Sequence, residues 1–235
     1  SDKTVDRGFK RQIKQRRADM NINTSYPCHV TNYRKIRKNQ IKYIVVHYVG
    51  ATGSAKQNAL YYHNTANIGA SAHYFVGHKS ENGEIYQSVA DNYCAWHCGS
   101  ENGKYYNDCR NDSAIGIEMC CHKDSGGSWY FDEITVKNTI ELVKMLMKKY
   151  NIPIANVLRH YDVTHKCCPE PYVKYPDLWN KFKSEAVKMR ELESINDIVW
   201  ELAHRGIITD KAYWIKKLEE DKNVYCLAKN MANYR

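Results

Sequence analysis

The sequence predicts an α/β fold: a central mixed β-sheet flanked by helices, plus a small C-terminal three-helix module. Three observations predict it. Residues 42–49 (KYIVVHYV) form a β-branched run too continuous for a one-sided edge, so it belongs in the middle of a sheet with both faces covered. Residues 136–150 place apolar side chains at helical spacing with charges on the other side. Beyond residue 190 the apolar spacing is helical throughout, broken by Gly206 and by capping residues.

Residues 1–23 are basic and nearly devoid of branched apolar side chains, and read as a basic N-terminal arm. Gly50 and Gly53 stop the first strong strand, and residues 54–64 read as a helix with Ser54 as its cap. Residues 72–77 (AHYFVG) are the next strand. Glu81-Asn82-Gly83 supplies a hairpin turn into residues 84–89 (EIYQSV), which alternate as a paired strand does, so the early order is β-α-β-β. Residues 90–112 are rich in Asn, Gly, Tyr and Cys with few periodic apolar positions, the texture of a long functional loop. Residues 113–120 (SAIGIEMC) return to strand, and Ser125-Gly126-Gly127 is a turn. The helix over 136–150 ends near Asn151 and Pro153. Residues 155–159 are a short last strand, and a helix over 177–189 is expected to pack Leu178, Phe182 and Val187 on the sheet.

Leu192, Ile195, Val199 and Leu202 then mark the first helix of the C-terminal module. Thr209 or Asp210 caps a second carrying Ile215 and Leu218, and Asp221 caps a third with Val224, Leu227 and Met231. The domains expected are therefore the arm, a main domain over 24–189, and a helical module over 190–235 that is small enough to need docking or self-association.

With 235 residues, 43% of them hydrophobic, the chain can bury one sizeable core and one small extra module. The longest apolar runs fall far short of the roughly 20 residues of a membrane span. The basic N-terminal residues contain no apolar h-region, so no secretory signal peptide is expected, and a protein acting outside the cell would need another route of release. A net charge of +9 attracts polyanions, which include nucleic acid, anionic lipid and acidic cell-wall polymers. Nothing beyond charge supports nucleic acid. Nine cysteines is an odd count, which favours metal binding or free thiols over a full disulfide framework.

Residues 159–171 (RHYDVTHKCCPEP) crowd imidazoles, two thiols and a lysine into a proline-terminated loop, poor material for a core and good material for a site. A hydrolytic zinc site needs three protein ligands and an open fourth position. His47 near the end of the first strong strand, His160 after the last strand, and Cys168 eight residues later could supply them, since neighbouring strands bring their C-terminal ends to one rim. By residue type alone the triple is weak, drawn as it is from ten histidines and nine cysteines.

Its neighbours are specific. The blocks Ile44-Val45-Val46-His47, Ser71-Ala72-His73-Tyr74-Phe75-Val76, Gly83-Glu84-Ile85-Tyr86-Gln87, Ala95-Trp96-His97-Cys98-Gly99, Ser113-Ala114-Ile115-Gly116-Ile117-Glu118-Met119, and Arg159-His160 through Lys166, Cys168 and Pro169 occur in that order. Over about residues 24–185 they resemble the zinc-dependent N-acetylmuramoyl-L-alanine amidases of the phage-lysozyme and peptidoglycan-recognition-protein type, with an endolysin-like character. The resemblance implies Zn²⁺ bound by His47, His160 and Cys168, with Glu118 as general base and Lys166 as the cation facing the oxyanion. His97 matches a groove histidine, a substrate contact or a proton partner, and Trp96 beside it a substrate-binding residue. Some phage-type relatives carry a tyrosine just before the second-strand histidine and lack the glutamate. Ala72 stands at that position here and Glu118 is present, which fits the glutamate-using branch.

The implied reaction is hydrolysis of the amide between N-acetylmuramic acid and L-alanine of the stem peptide, with bacterial peptidoglycan as partner. A phage or prophage endolysin, made in the cytoplasm and acting on the wall after release, suits a wall hydrolase without a signal peptide; a bacterial autolysin is the other source. A non-catalytic peptidoglycan-binding module is the alternative, and retention of Cys168 favours the enzyme. The helical module would target the wall or form a homo-oligomer; neither nucleic acid nor a membrane span is expected. His73 is expected in the core, and His63, His78, His122, His165 and His204 at the surface. Cys167 lacks the family spacing. Cys94, Cys98 and Cys109 could form a second metal site, a disulfide or free thiols.

Overall fold

The computed structural model describes residues 21–98, 106, 108–188 and 195–233. The chain divides into two compact units, residues 1–187 and 188–235. The first contains, in chain order, β1 (Ile22–Asn23), β2 (Tyr33–Arg34), β3 (Tyr43–Tyr48), α1 (Ala55–Asn64), β4 (Tyr74–Val76), β5 (Ile85–Gln87), β6 (Cys94–Ala95), β7 (Ala114–Met119), β8 (His122–Lys123) and β9 (Trp129–Tyr130). These lead into α2 (Glu133–Tyr150), β10 (Val157–Arg159), α3 (His160–Thr164), α4 (Glu170–Lys174) and α5 (Pro176–Val187). The central sheet runs β1-β5-β4-β7-β3-β10. Only the β4–β5 pair is antiparallel, so the sheet is mixed, and β2–β6 and β8–β9 form separate antiparallel ribbons.

The continuous β-branched run of β3 is explained by its place: Ile44, Val45 and Val46 have no exposed surface. Ile44 and Val46 join one core cluster with Leu142, Val143 and Leu146 of α2, while Val45 faces another with Leu158 and Val163. At α1 the Ser54 hydroxyl accepts the Gln57 amide and the Gln57 side chain accepts the Ser54 amide, a reciprocal cap. Asn151 ends α2 in the left-handed region, φ 52°, which asparagine tolerates better than most residues.

The buried face of α5 differs from the expected one. Trp179, Phe182 and Ala186 are buried, whereas Leu178 and Val187 are 48% and 51% exposed. The helix turns to seat its largest rings: Trp179 stacks on Phe182 at 5.2 Å, and both meet Tyr172 of α4. The strand expected from residue 72 begins at Tyr74. Of the residues expected as a basic arm, 1–20 lie outside the described residues. Ile22–Asn23 adds an edge strand to the sheet, with Ile22 packed against the core. His78, expected at the surface, is 6% exposed.

The second unit contains α6 (Ile195–His204), α7 (Lys211–Glu220) and α8 (Lys222–Asn233). Its core is Ile198, Val199, Leu202, Ile208, Leu218, Ala228 and Ala232. The expected Leu192 lies outside the described residues. Asp210 caps α7 by accepting the Tyr213 amide. In α8 the alanines face inward, while the expected Leu227 and Met231 are 62% and 41% exposed. Small side chains let this helix approach closely, and the Arg205 guanidinium donates to the Met231 and Ala232 carbonyls at its end. Among the described residues, no helix is long and apolar enough to cross a membrane.

Candidate active site

Strand register assembles the site. Parallel pairing of β3 with β7 sets His47 opposite Glu118, and pairing of β10 with β3 sets Arg159 opposite Val46, so His160 follows beside His47. The loop expected after Arg159 contains one helical turn, His160–Thr164. The Asp162 carboxylate accepts the Arg159 amide at 2.9 Å and grips its guanidinium at 2.6 Å, which turns the chain from strand to helix. His165 ends that turn at φ 60°. The Tyr161 amide then donates to the Cys168 carbonyl at 2.8 Å and draws Cys168 back under the turn. Cys168 is buried and Cys167 is exposed. All nine cysteines are free thiols.

His47, His160 and Cys168, distant in sequence, meet with their ligand atoms all within 4.8 Å of one another. His47 Nδ1 lies 3.1 Å from His160 Nδ1 and 3.8 Å from Cys168 Sγ. Burial, helped by the neighbouring imidazoles and Lys166, holds the His47 imidazole well below its ordinary value. Burial and then Lys166 lower His160 to about 4. Both rings are therefore neutral at pH 7 and offer lone pairs. The Cys168 thiol is pushed well up by burial and then by Glu118, so its proton must leave when a cation enters.

Glu118 is the unbalanced member. Its Oε2 is enclosed and has no hydrogen-bond partner among the described residues. Burial raises the carboxyl to about 8, with Lys166 acting in the opposite direction. Lys166 itself is exposed, and its charge acts on His47, His160, Glu118 and Cys168 together.

Behind the triple stands His97. Its Nδ1 lies 3.0 Å from His47 Nε2, with the rings perpendicular at 89°. Asn111 fixes the His97 loop by accepting the amides of His97 and Cys98 at 2.9 and 2.7 Å. Burial, then His73, depresses the His97 imidazole, and the Ala114 backbone offsets this in part. Trp96 is placed by its main chain, which exchanges hydrogen bonds with Ser71. His73 is a core residue as expected: buried, with Nδ1 accepting the Gly116 amide.

Three residues escape a reading by motif alone. Gly116 sits within β7 where a Cβ would meet His97 Cγ at 2.4 Å, and a glycine inside a strand is the available signal of such close approach. Asn111 carries no signal within its loop. Arg37 donates to the carbonyls of Asp91, Asn111, Asp112 and Ala114 and so ties that loop to β7, yet looks like any surface arginine in sequence.

Two neutral imidazoles and a thiol, all buried, beside a carboxyl oxygen without a hydrogen-bond partner among the described residues, fit a divalent cation that favours nitrogen and sulfur donors. Fold and site define an α/β protein whose mixed sheet carries a buried His-His-Cys donor group on one rim. The chain belongs to the N-acetylmuramoyl-L-alanine amidase family, which it matches over residues 37–171. It is 36% identical to the N-acetylmuramoyl-L-alanine amidase CwlL of Bacillus licheniformis across 57% of its own length and 37% of that relative. It is 31% identical to BlyA of Bacillus subtilis (strain 168) across 71% of its length and 48% of the relative. The chain thus spans less than half the length of these relatives. Its fold is similar to the catalytic domain of XlyA, with a TM-score of 0.56 and 30% identity, covering 70% of this chain and 98% of that one.

Proposed function

We propose that this protein is a zinc-dependent peptidoglycan hydrolase that cuts the amide between N-acetylmuramic acid and the L-alanine of the stem peptide. The observation that carries the reading is the convergence of His47, His160 and Cys168 beside a Glu118 oxygen that has no hydrogen-bond partner among the described residues. Family membership supplies the bond.

His47, His160 and Cys168 would hold the zinc. When bound, it supplies Lewis-acid polarisation of a carbonyl and acidification of a water. The remaining work falls to the chain's own groups. His47 can turn the Nδ1 lone pair to a cation only with its proton on Nε2, and His97 Nδ1 stands 3.0 Å away to accept a hydrogen bond from that N–H. His97 thereby holds the tautomer and orientation of His47. Glu118, whose ionised form a cation held beside it would favour, takes a proton from the attacking water and passes it to the leaving amine nitrogen, which cannot depart as an amide anion. Lys166, exposed above the buried donors, faces the oxygen on which negative charge develops. Trp96, beside His97, belongs to the wall of the substrate groove. The site of action is then the bacterial cell wall, and the net charge of +9 suits its anionic polymers. The unit over residues 188–235 is a candidate for wall attachment.

Metal analysis coupled to mass spectrometry of digested peptidoglycan tests both halves of the proposal. Bound zinc together with stem peptides bearing a free L-alanine amino end is expected. Zinc-loaded protein that binds walls and releases no such ends would be a binding module instead.

A further inference from the structure

A second group of metal-ligating side chains stands apart from the first. His78 follows β4, His122 begins β8, and Asp132 immediately precedes α2. A ring nitrogen of each histidine and a carboxylate oxygen of Asp132 all lie within 4.8 Å of one another. None of these residues belongs to the donor group around His47.

Three features exceed what a simple ion pair requires. First, His122 Nε2 lies 3.0 Å from Asp132 Oδ2, and the His78 ring packs on the His122 ring at 4.6 Å between centroids. Two imidazoles are thus gathered on one carboxylate. Second, the Ser80 hydroxyl lies 2.9 Å from His78 Nδ1. With the proton on Nδ1 and donated to Ser80, the lone pair sits on Nε2, the arrangement in which ligating histidines are usually held. Third, Asp132 occupies the N-cap position of α2 without capping it through its side chain. Its Oδ2 instead accepts the Lys79 amide at 2.7 Å and lies 3.0 Å from His122 Nε2, so the carboxylate is held in place from outside its own helix. His78 is buried, while the side chains of His122 and Asp132 are 30% and 18% exposed, so an ion has a route in.

We infer that His78, His122 and Asp132 form a second metal site for a divalent first-row transition ion such as Zn²⁺, joining the β8–β9 hairpin to the end of β4 and the start of α2. Two nitrogens and one carboxylate oxygen suit zinc, cobalt or nickel better than calcium or magnesium, which prefer all-oxygen shells. On binding, the His122 ring carries its single proton on Nδ1 and turns the Nε2 lone pair to the ion, which takes the place between that nitrogen and Asp132. The consequence reaches the first site through Trp129. This β9 residue packs edge-on against Tyr48 at 5.9 Å, and Tyr48 directly follows His47. A loaded second site therefore holds in place the aromatic side chain that packs on the neighbour of His47.

The test is a titration of chelator-stripped full-length protein with Co²⁺ and Zn²⁺. Wild type is expected to take two equivalents, of which one gives a thiolate-to-cobalt charge-transfer band. Cys168→Ser should lose that band and keep the other equivalent. His122→Asn and Asp132→Asn should keep the band and bind the second equivalent at least tenfold more weakly, with unchanged circular dichroism and a smaller metal-induced rise in Tm. A single equivalent in wild type, or two undiminished equivalents in both His122→Asn and Asp132→Asn, overturns the inference. A second equivalent without any thiolate band would leave this site standing and remove the ligand set proposed for the amidase.

Discussion

His97 stands where it does because residue 116 has no side chain: an added Cβ would lie 2.4 Å from His97 Cγ and 2.6 Å from its Nδ1. That Nδ1 is the atom facing His47. A backbone position in the middle of β7 therefore sets the orientation of a candidate metal ligand on β3. Gly116→Ala is expected to destabilise the fold by about 1–3 kcal/mol through overpacking. It should also lower amidase activity by roughly tenfold or more, as loss of a partner to a ligating histidine does. Peptidoglycan-release assays alongside urea unfolding check both, and full activity in a folded Gly116→Ala would remove His97 from the orienting role.

The donor group and Glu118 should separate cleanly. Cys168→Ser and His47→Ala are expected to lose bound metal at the first site and activity together. Glu118→Ala should keep that metal and lose turnover by roughly 10²–10⁴-fold, the range for a positioned proton carrier. Metal content measured on the same samples as peptidoglycan release decides it, and undiminished turnover in Glu118→Ala would take the residue out of the mechanism.

The buried imidazoles make the metal-free protein acid-sensitive. His73 is held down to about 3, mainly by burial with Arg37 adding to it, and His160 to about 4, against an ordinary 6.5. The unfolded chain binds these protons more readily. The stability they contribute is therefore fully present above pH 6.5 and is lost as pH falls towards 4 and then 3, with a slope of roughly 1.4 kcal/mol per pH unit for each histidine. Urea unfolding of chelated protein from pH 7 to pH 4 should show the decline, and a flat profile would contradict it.

Glu118 has the opposite sign. Its folded carboxyl is raised by burial to about 8 from an ordinary 4.5, so the fold favours the neutral acid. Its contribution is complete below pH 4.5 and is lost as pH rises through 8. In metal-free protein, Glu118→Gln should therefore match wild type near pH 4.5 and become progressively more stable than it up to pH 8. Parallel unfolding curves for the two proteins at every pH would refute this.

The α5 face offers a test of packing alone. Phe182→Ala should cost about 3–5 kcal/mol, because its ring is 1% exposed between Tyr172 and Trp179. Leu178→Ala, at a half-exposed position, should stay within about 0.5 kcal/mol. Denaturant midpoints of the two variants give the comparison.

Much of this protein is written in its local pattern. The β-branched run 42–49 is sufficient to place a central strand, because only a site covered on both faces tolerates it, and residues 136–150 announce their buried stripe by period. As candidates, His47, Glu118, His160 and Cys168 are legible because each sits in a block of recognisable neighbours. Where choices depend on which of two apolar faces wins, sequence falls short: Leu178 and Leu227 look like core, but Trp179 and the small Ala228 take the inward positions. The same limit hid His78 and Asp132, which seem ordinary until β4, β8 and α2 bring them within 4.8 Å of His122. Local periodicity and side-chain chemistry suffice for the long elements, their order and the residue types of the candidate site, but not for the short strands β1, β2, β6, β8 and β9 or the helical turns α3 and α4, which are too short to show a period. Only the tertiary structure decided that Gly116 makes room for His97 and that Tyr161 folds Cys168 back to His47, because such contacts exist only once strand register has joined residues far apart in the chain.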